Sequence, residues 1–165
     1  MKASTMKISL AILVAFVALS VPSWAQNCTN ATIQGSYAFT IGGWVVLPNG
    51  YQQRDGVAMT QFDGQGNLTQ VDWVMSNGQP MGGHTNQYGF HDGESGTYTV
   101  NPDCTGSAEI KFPPPQGHKT GAIIDLMFVV GDQGAVIHTV VAKLTPPDGS
   151  EPAPVDIRSD AHRVN

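Results

Sequence analysis

Beyond residue 26, short apolar runs alternate with breaks that contain glycine or proline, and none of the runs keeps the spacing of an amphipathic helix. The runs are rich in β-branched and aromatic residues, which is the composition of strands. In Gly35-Ser36-Tyr37-Ala38-Phe39-Thr40-Ile41 the period of two places Tyr37, Phe39 and Ile41 on one face. Gly42-Gly43 predicts a bend before Trp44-Val45-Val46-Leu47 continues the strand, and Pro48-Asn49-Gly50 predicts a turn from which Tyr51 starts back. Asp63-Gly64-Gln65-Gly66 has Asp at the opening and Gly at the closing position of a type I turn, and joins runs 56–62 and 67–75 into a hairpin. The same chemistry recurs in Asp103-Cys104-Thr105-Gly106, between 96–100 and 107–112, and in Gly131-Asp132-Gln133-Gly134, between 122–130 and 135–144. These hairpins and the first strand predict an all-β fold of about seven or eight antiparallel strands, a single barrel or, as the alternative, a β-sandwich.

The N-terminal residues have a different pattern. Lys2 and Lys7 precede a run from Ile8 to Val21 that is apolar except for Ser9 and Ser20, and Pro22-Ser23-Trp24-Ala25 places small residues where a signal peptidase would cut before Gln26. The run of about 14 residues falls short of the roughly 20 that cross a bilayer, so the expectation is a cleaved signal helix. Asn27 stands before Cys28 where a lipoprotein needs a small residue, so no lipid anchor is expected on the mature form. The expected organisation is a signal peptide over 1–25, a β-barrel domain over 26–145, and a Pro-rich polar tail over 146–165 with the composition of a disordered segment.

Removal of the leader changes the charge as well as the address. The full chain carries 8 Lys and Arg against 13 Asp and Glu, a formal charge of −5, and losing Lys2 and Lys7 brings it to −7. Without a cationic cluster, binding to nucleic acid or to anionic lipid is not expected. Cys28 and Cys104 are the two cysteines, and in a secreted or periplasmic bacterial protein they predict one disulfide. It would tie the mature N-terminus to a hairpin in mid-chain.

Candidate chemistry is sparse. In 122–130 both faces are apolar, with Asp125 interrupting one of them, and in 135–144 His138 interrupts Val136 and Val140 in the same way. A turn centred on Asp132-Gln133 would set residue 127 opposite 138 and bring Asp125 and His138 within diagonal reach. A carboxylate buried there must be paired, and the pair could serve as acid and base or orient a polar ligand; a purely structural hydrogen bond is the simpler reading. The expected ligand-facing set is Tyr37, Phe39, Trp73, Asp125, Met127 and His138, with Asp125 and His138 as the candidate catalytic residues. A second gathering, His84, His91, Asp92 and Glu94, falls in the connection 76–95. It lacks the HxH and HExxH spacings of a metal site and reads as a solvated loop that could also serve as a flap over a barrel mouth. No phosphate loop, dinucleotide fingerprint or GxSxG elbow is present, and no cofactor or metal is expected.

The order of Cys28, Gly35-Ser36-Tyr37-Ala38-Phe39, Asp63-Gly64-Gln65-Gly66-Asn67 and Gly96-Thr97-Tyr98-Thr99-Val100-Asn101-Pro102-Asp103-Cys104-Thr105-Gly106 resembles a group of small exported bacterial proteins whose function is not established. Such sequences are distantly similar to allene oxide cyclase-like barrels of calycin type. The resemblance covers roughly 28–141 and implies a barrel; no catalytic residue of that family can be placed on this chain. The sequence therefore predicts a barrel that binds a small apolar or amphiphilic molecule. The alternatives are a barrel filled by Tyr37, Phe39, Trp44, Trp73 and Phe128 that acts as an envelope or surface interaction module, and an enzyme of cyclase or isomerase type.

Overall fold

The computed structural model describes Asn27–Val164; the expected signal peptide lies outside the described residues. A short 3-10 helix, Asn30–Ile33, leads into nine strands: β1 Gly35–Leu47, β2 Gly50–Phe62, β3 Asn67–Ser76, β4 Gln79–Pro80, β5 His91–Val100, β6 Thr105–Lys111, β7 Ile123–Gly131, β8 Val136–Thr145 and β9 Val155–Val164. All pairings are antiparallel, and the strand order β2-β1-β9-β8-β7-β6-β5-β3 closes on itself through the β2–β3 pairing. The result is an eight-stranded antiparallel barrel, with the two-residue β4 appended to β3. Closure leaves no long edge for another chain to extend.

Segment 146–165 departs from its expected role as a polar tail. Residues 155–164 form β9, which pairs with β1 along Ser36↔Val164 to Val45↔Val155 and with β8 along Val136↔His162 to Val140↔Arg158. Val155, Ile157, Ser159 and Ala161 turn inward while Asp156, Arg158, Asp160 and His162 face solvent, so the strand alternates strictly despite its polar composition. Gly43 lets β9 lie close to β1: a Cβ there would sit 2.0 Å from the Asp156 carbonyl oxygen.

One end of the barrel is closed. Ile33 of the 3-10 helix is fully buried under the ends of the strands, and Tyr37, Phe62 and Tyr98 pack edge to face behind it. The Tyr37 hydroxyl donates to the Gly134 carbonyl and accepts from Arg163 Nη2 at 2.8 Å, and Arg163 also donates to the Thr32 carbonyl at 2.6 Å. The Cys28–Cys104 disulfide holds this plug, with a Cα–Cα distance of 5.0 Å and a sequence separation of 76 residues. No helix among the described residues is long and apolar enough to cross a membrane.

Candidate functional site

The other end of the barrel opens into a cavity of about 280 Å³, just below the range of roughly 300–1,000 Å³ for small-molecule pockets. Its floor is apolar, built from Phe62, Leu68, Phe128 and Ile137, and its wall carries Ala58, Ala108, Ile124 and Leu126. At the rim lie Met81 to His84 from the 77–90 connection, Phe112 to Pro115, and Pro147. The 77–90 connection thus reaches over the mouth as a flap, tied down by β4 and by the Met81 amide, which donates to the Val74 carbonyl at 2.9 Å.

Two polar patches interrupt this apolar wall: the hydroxyls of Thr139 and Ser159, which bond each other across β8 and β9, and a larger corner on β2, β3 and β5. Thr60, Gln70 and Glu94 are consecutive cross-strand partners on β2, β3 and β5, so all three point inward, and Thr60 Oγ1 donates to Gln70 Oε1 at 2.8 Å. Asp72, two residues further along β3, accepts or shares a proton with His91 Nδ1 at 2.9 Å, and His91 Nε2 donates to the Met81 carbonyl at 2.9 Å. Asp72 and Glu94 are each only 2 % exposed. Burial raises the pKa of Asp72, opposed by the hydrogen bond and charge of His91. Burial, together with the Asp72 carboxylate, pushes Glu94 up to about 8. The Gln70 side chain opposes that rise only in part, because its contact falls short of good hydrogen-bond geometry at both Glu94 carboxyl oxygens.

A β-bulge creates this corner. Gln70 pairs with Glu94, but Asp72 pairs with His91, so β5 spends one residue more than β3 over the same length. Gly93, at φ +81°, absorbs the extra residue in the left-handed region. Residues three apart on a regular strand point to opposite faces; the bulge turns both His91 and Glu94 toward the lumen. Nearer the mouth, Arg54 donates to Ser76 Oγ at 2.6 Å and to Gln52 Oε1 at 2.7 Å, and desolvation lowers its pKa.

The expected site residues separate. Phe39 lines the cavity. Tyr37 is inside the barrel but belongs to the closed end, with its hydroxyl occupied. Trp73 neighbours Asp72 on β3 and does not line the lumen; its ring stacks on His91 with centroids 5.6 Å apart. Met127 is 53 % exposed on the outer surface. Asp125 and His138 do not meet: Asp125 is opposite Lys143, His138 is opposite Val129, and His138 Nδ1 bonds Asp160 Oδ1 instead. The turn is centred one residue later than expected because Asp132, Gln133 and Gly134 all take positive φ, and β8 carries a register shift near Asp125. Only one face of a single-walled barrel can be buried, so the outer face of β7, with Asp125, Met127 and Val129, is the wetter one. From the second gathering, His84, His91, Asp92 and Glu94 all line the cavity. His84 Nδ1 bonds Asp92 Oδ1 at 2.5 Å near the mouth, and among the described residues no group of three or more metal-binding side chains converges.

The strand pairings and lumen define the class: an eight-stranded antiparallel β-barrel with an interior open at one end. No protein-family profile matches the chain, and no curated protein matches it either. Among solved structures, the crystal structure of Rv2717c from M. tuberculosis is similar at 13 % sequence identity and a TM-score of 0.38, over 81 % of this chain and 94 % of that one. A likeness at that level carries no functional argument, so the site is read from its own geometry.

Proposed function

We propose that the chain is an exported binding protein of calycin-like architecture whose lumen holds one small apolar or amphiphilic molecule. The observation that carries this reading is the division of the lumen into an apolar floor and wall and a few fixed polar groups, foremost the ionisable corner at Asp72, His91 and Glu94. Apolar lining supplies affinity and a few fixed polar groups supply orientation, which is how ligand cavities in small barrels work. Of the large side chains expected to fill the barrel, Phe39 and Phe128 point into the lumen, whereas Trp44 is exposed, Trp73 stands outside the lining and Tyr37 packs into the closed end. This favours a ligand barrel over a solid interaction module. The disulfide supports secretion or a periplasmic location in a bacterium, where such bonds persist.

Native mass spectrometry of the full chain purified from its host tests the reading. It predicts a mass excess that survives gentle desolvation, disappears on unfolding and yields the same lipid-like compound in repeated extractions. A protein that is always recovered empty and binds no apolar probe would overturn it.

A further inference from the structure

The polar corner is specific enough to say which end of a ligand it would hold. The Met81 carbonyl only accepts, so His91 Nε2 carries a hydrogen, and the 2.9 Å contact between Nδ1 and Asp72 Oδ1 requires a second proton between them. Whether that proton sits on the ring or on the carboxyl, the pair has no net charge. Glu94 adds a carboxyl that is almost completely buried, lines the cavity and meets only the Gln70 side chain, without a well-formed hydrogen bond at either oxygen. An orphaned buried polar group is costly and calls for an occupant.

From this geometry we propose that the Glu94 carboxyl anchors the bound molecule by donating its O–H to a neutral carbonyl oxygen, such as that of a ketone or an ester, while the ligand's apolar body lies along the lumen. The inference rests on the binding reading above. A carboxylate ligand fits poorly: among the described residues Arg54 is the one Lys or Arg side chain lining the cavity, and its guanidinium is held by Ser76 and Gln52. An alkylammonium would pair with Glu94 only once the carboxyl gives up the proton that burial holds on it. A pure hydrocarbon would offer Glu94 nothing to bond. The high pKa of Glu94 supports the assignment, because the carboxyl keeps its proton near neutral pH.

The test is displacement of a fluorescent naphthylamine probe from the full chain by methyl heptyl ketone, nonane and octylamine, on the native protein, Glu94→Gln and Glu94→Leu. Native protein should prefer the ketone to nonane by about tenfold, the worth of one buried hydrogen bond. Glu94→Gln, which keeps an N–H donor, should retain that preference, and Glu94→Leu should lose it. The same preference in Glu94→Leu, or stronger displacement by octylamine than by the ketone, would overturn the anchor while leaving the binding barrel intact. Failure of every ligand and of the probe itself would overturn the barrel reading and the anchor with it. If Glu94→Leu does not fold, the carbonyl stretch of the ketone bound to native protein decides: a shift below its value in hydrocarbon solvent supports the bond, and no shift overturns it.

Discussion

Replacing Glu94 by Gln should change the pH dependence of stability in a defined way. The folded protein holds the Glu94 proton up to about pH 8, whereas the unfolded chain releases it near 4.5. Folding therefore takes up a proton between those values. The contribution of the neutral carboxyl is fully present below the unfolded pKa and is lost as pH rises through the folded one. Each pH unit in that window removes about 1.4 kcal/mol. The native protein should thus have lost about 3 kcal/mol by pH 7 and about 4 kcal/mol by pH 8, relative to its stability at pH 4.5. Glu94→Gln has the same shape and no proton to bind, so its stability should not show this decline. Asp72, also raised by burial, slopes in the same direction but is common to both proteins and cancels in the difference. Urea unfolding at fixed pH from 4.5 to 9, followed by tryptophan fluorescence with the disulfide intact, measures that difference. Parallel stability profiles for the two proteins would refute the claim that Glu94 is buried without a compensating partner.

Other consequences follow from the barrel itself. Replacing Cys28 and Cys104 together by serine should cost roughly 4 kcal/mol in the chain-entropy model, seen as a lower midpoint in thermal unfolding; an unchanged midpoint would mean that the plug at the closed end holds without the bond. His138→Phe should leave probe binding unchanged and alter stability by less than about 1 kcal/mol, since it removes one exposed pair with Asp160. Deleting residues 155–164 should abolish the cooperative unfolding transition and cause aggregation on size-exclusion chromatography, because it bares β1 and β8 as unpaired edges.

The turns and hairpins were legible because their chemistry is local: Asp63 accepts from the Gln65 and Asn67 amides, which builds the β2–β3 turn within five residues. The first strand shows its inward face openly, with Tyr37 and Phe39 buried. In β3 the same reasoning picks the wrong face. Val71, Trp73 and Met75 are more apolar than Gln70 and Asp72, yet Gln70 and Asp72 face the lumen. A cavity that must hold a polar group inverts the usual alternation, and such inversions are expected at functional sites. His91 and Glu94 read as loop residues because Gly93 and the gap of three between them break the period of two; the bulge that causes the break also builds the site. For β9 a signal existed in the alternation Val155-Asp156-Ile157-Arg158-Ser159-Asp160-Ala161, but the inward residues Ser159 and Ala161 are too small to mark a core face by hydrophobicity. The non-local pairing of β9 with β1 supplies what its composition lacks.

If the lumen is the binding site, two neighbouring substitutions should separate the inside of the barrel from the outside. Ala58 lines the cavity and Val57, beside it on β2, is exposed on the outer face. Titration of the naphthylamine probe should show saturable binding to the native protein and to Val57→Trp, and none to a folded Ala58→Trp, whose indole occupies the lumen. Equal binding by all three proteins would place the probe on the exterior and contradict the account.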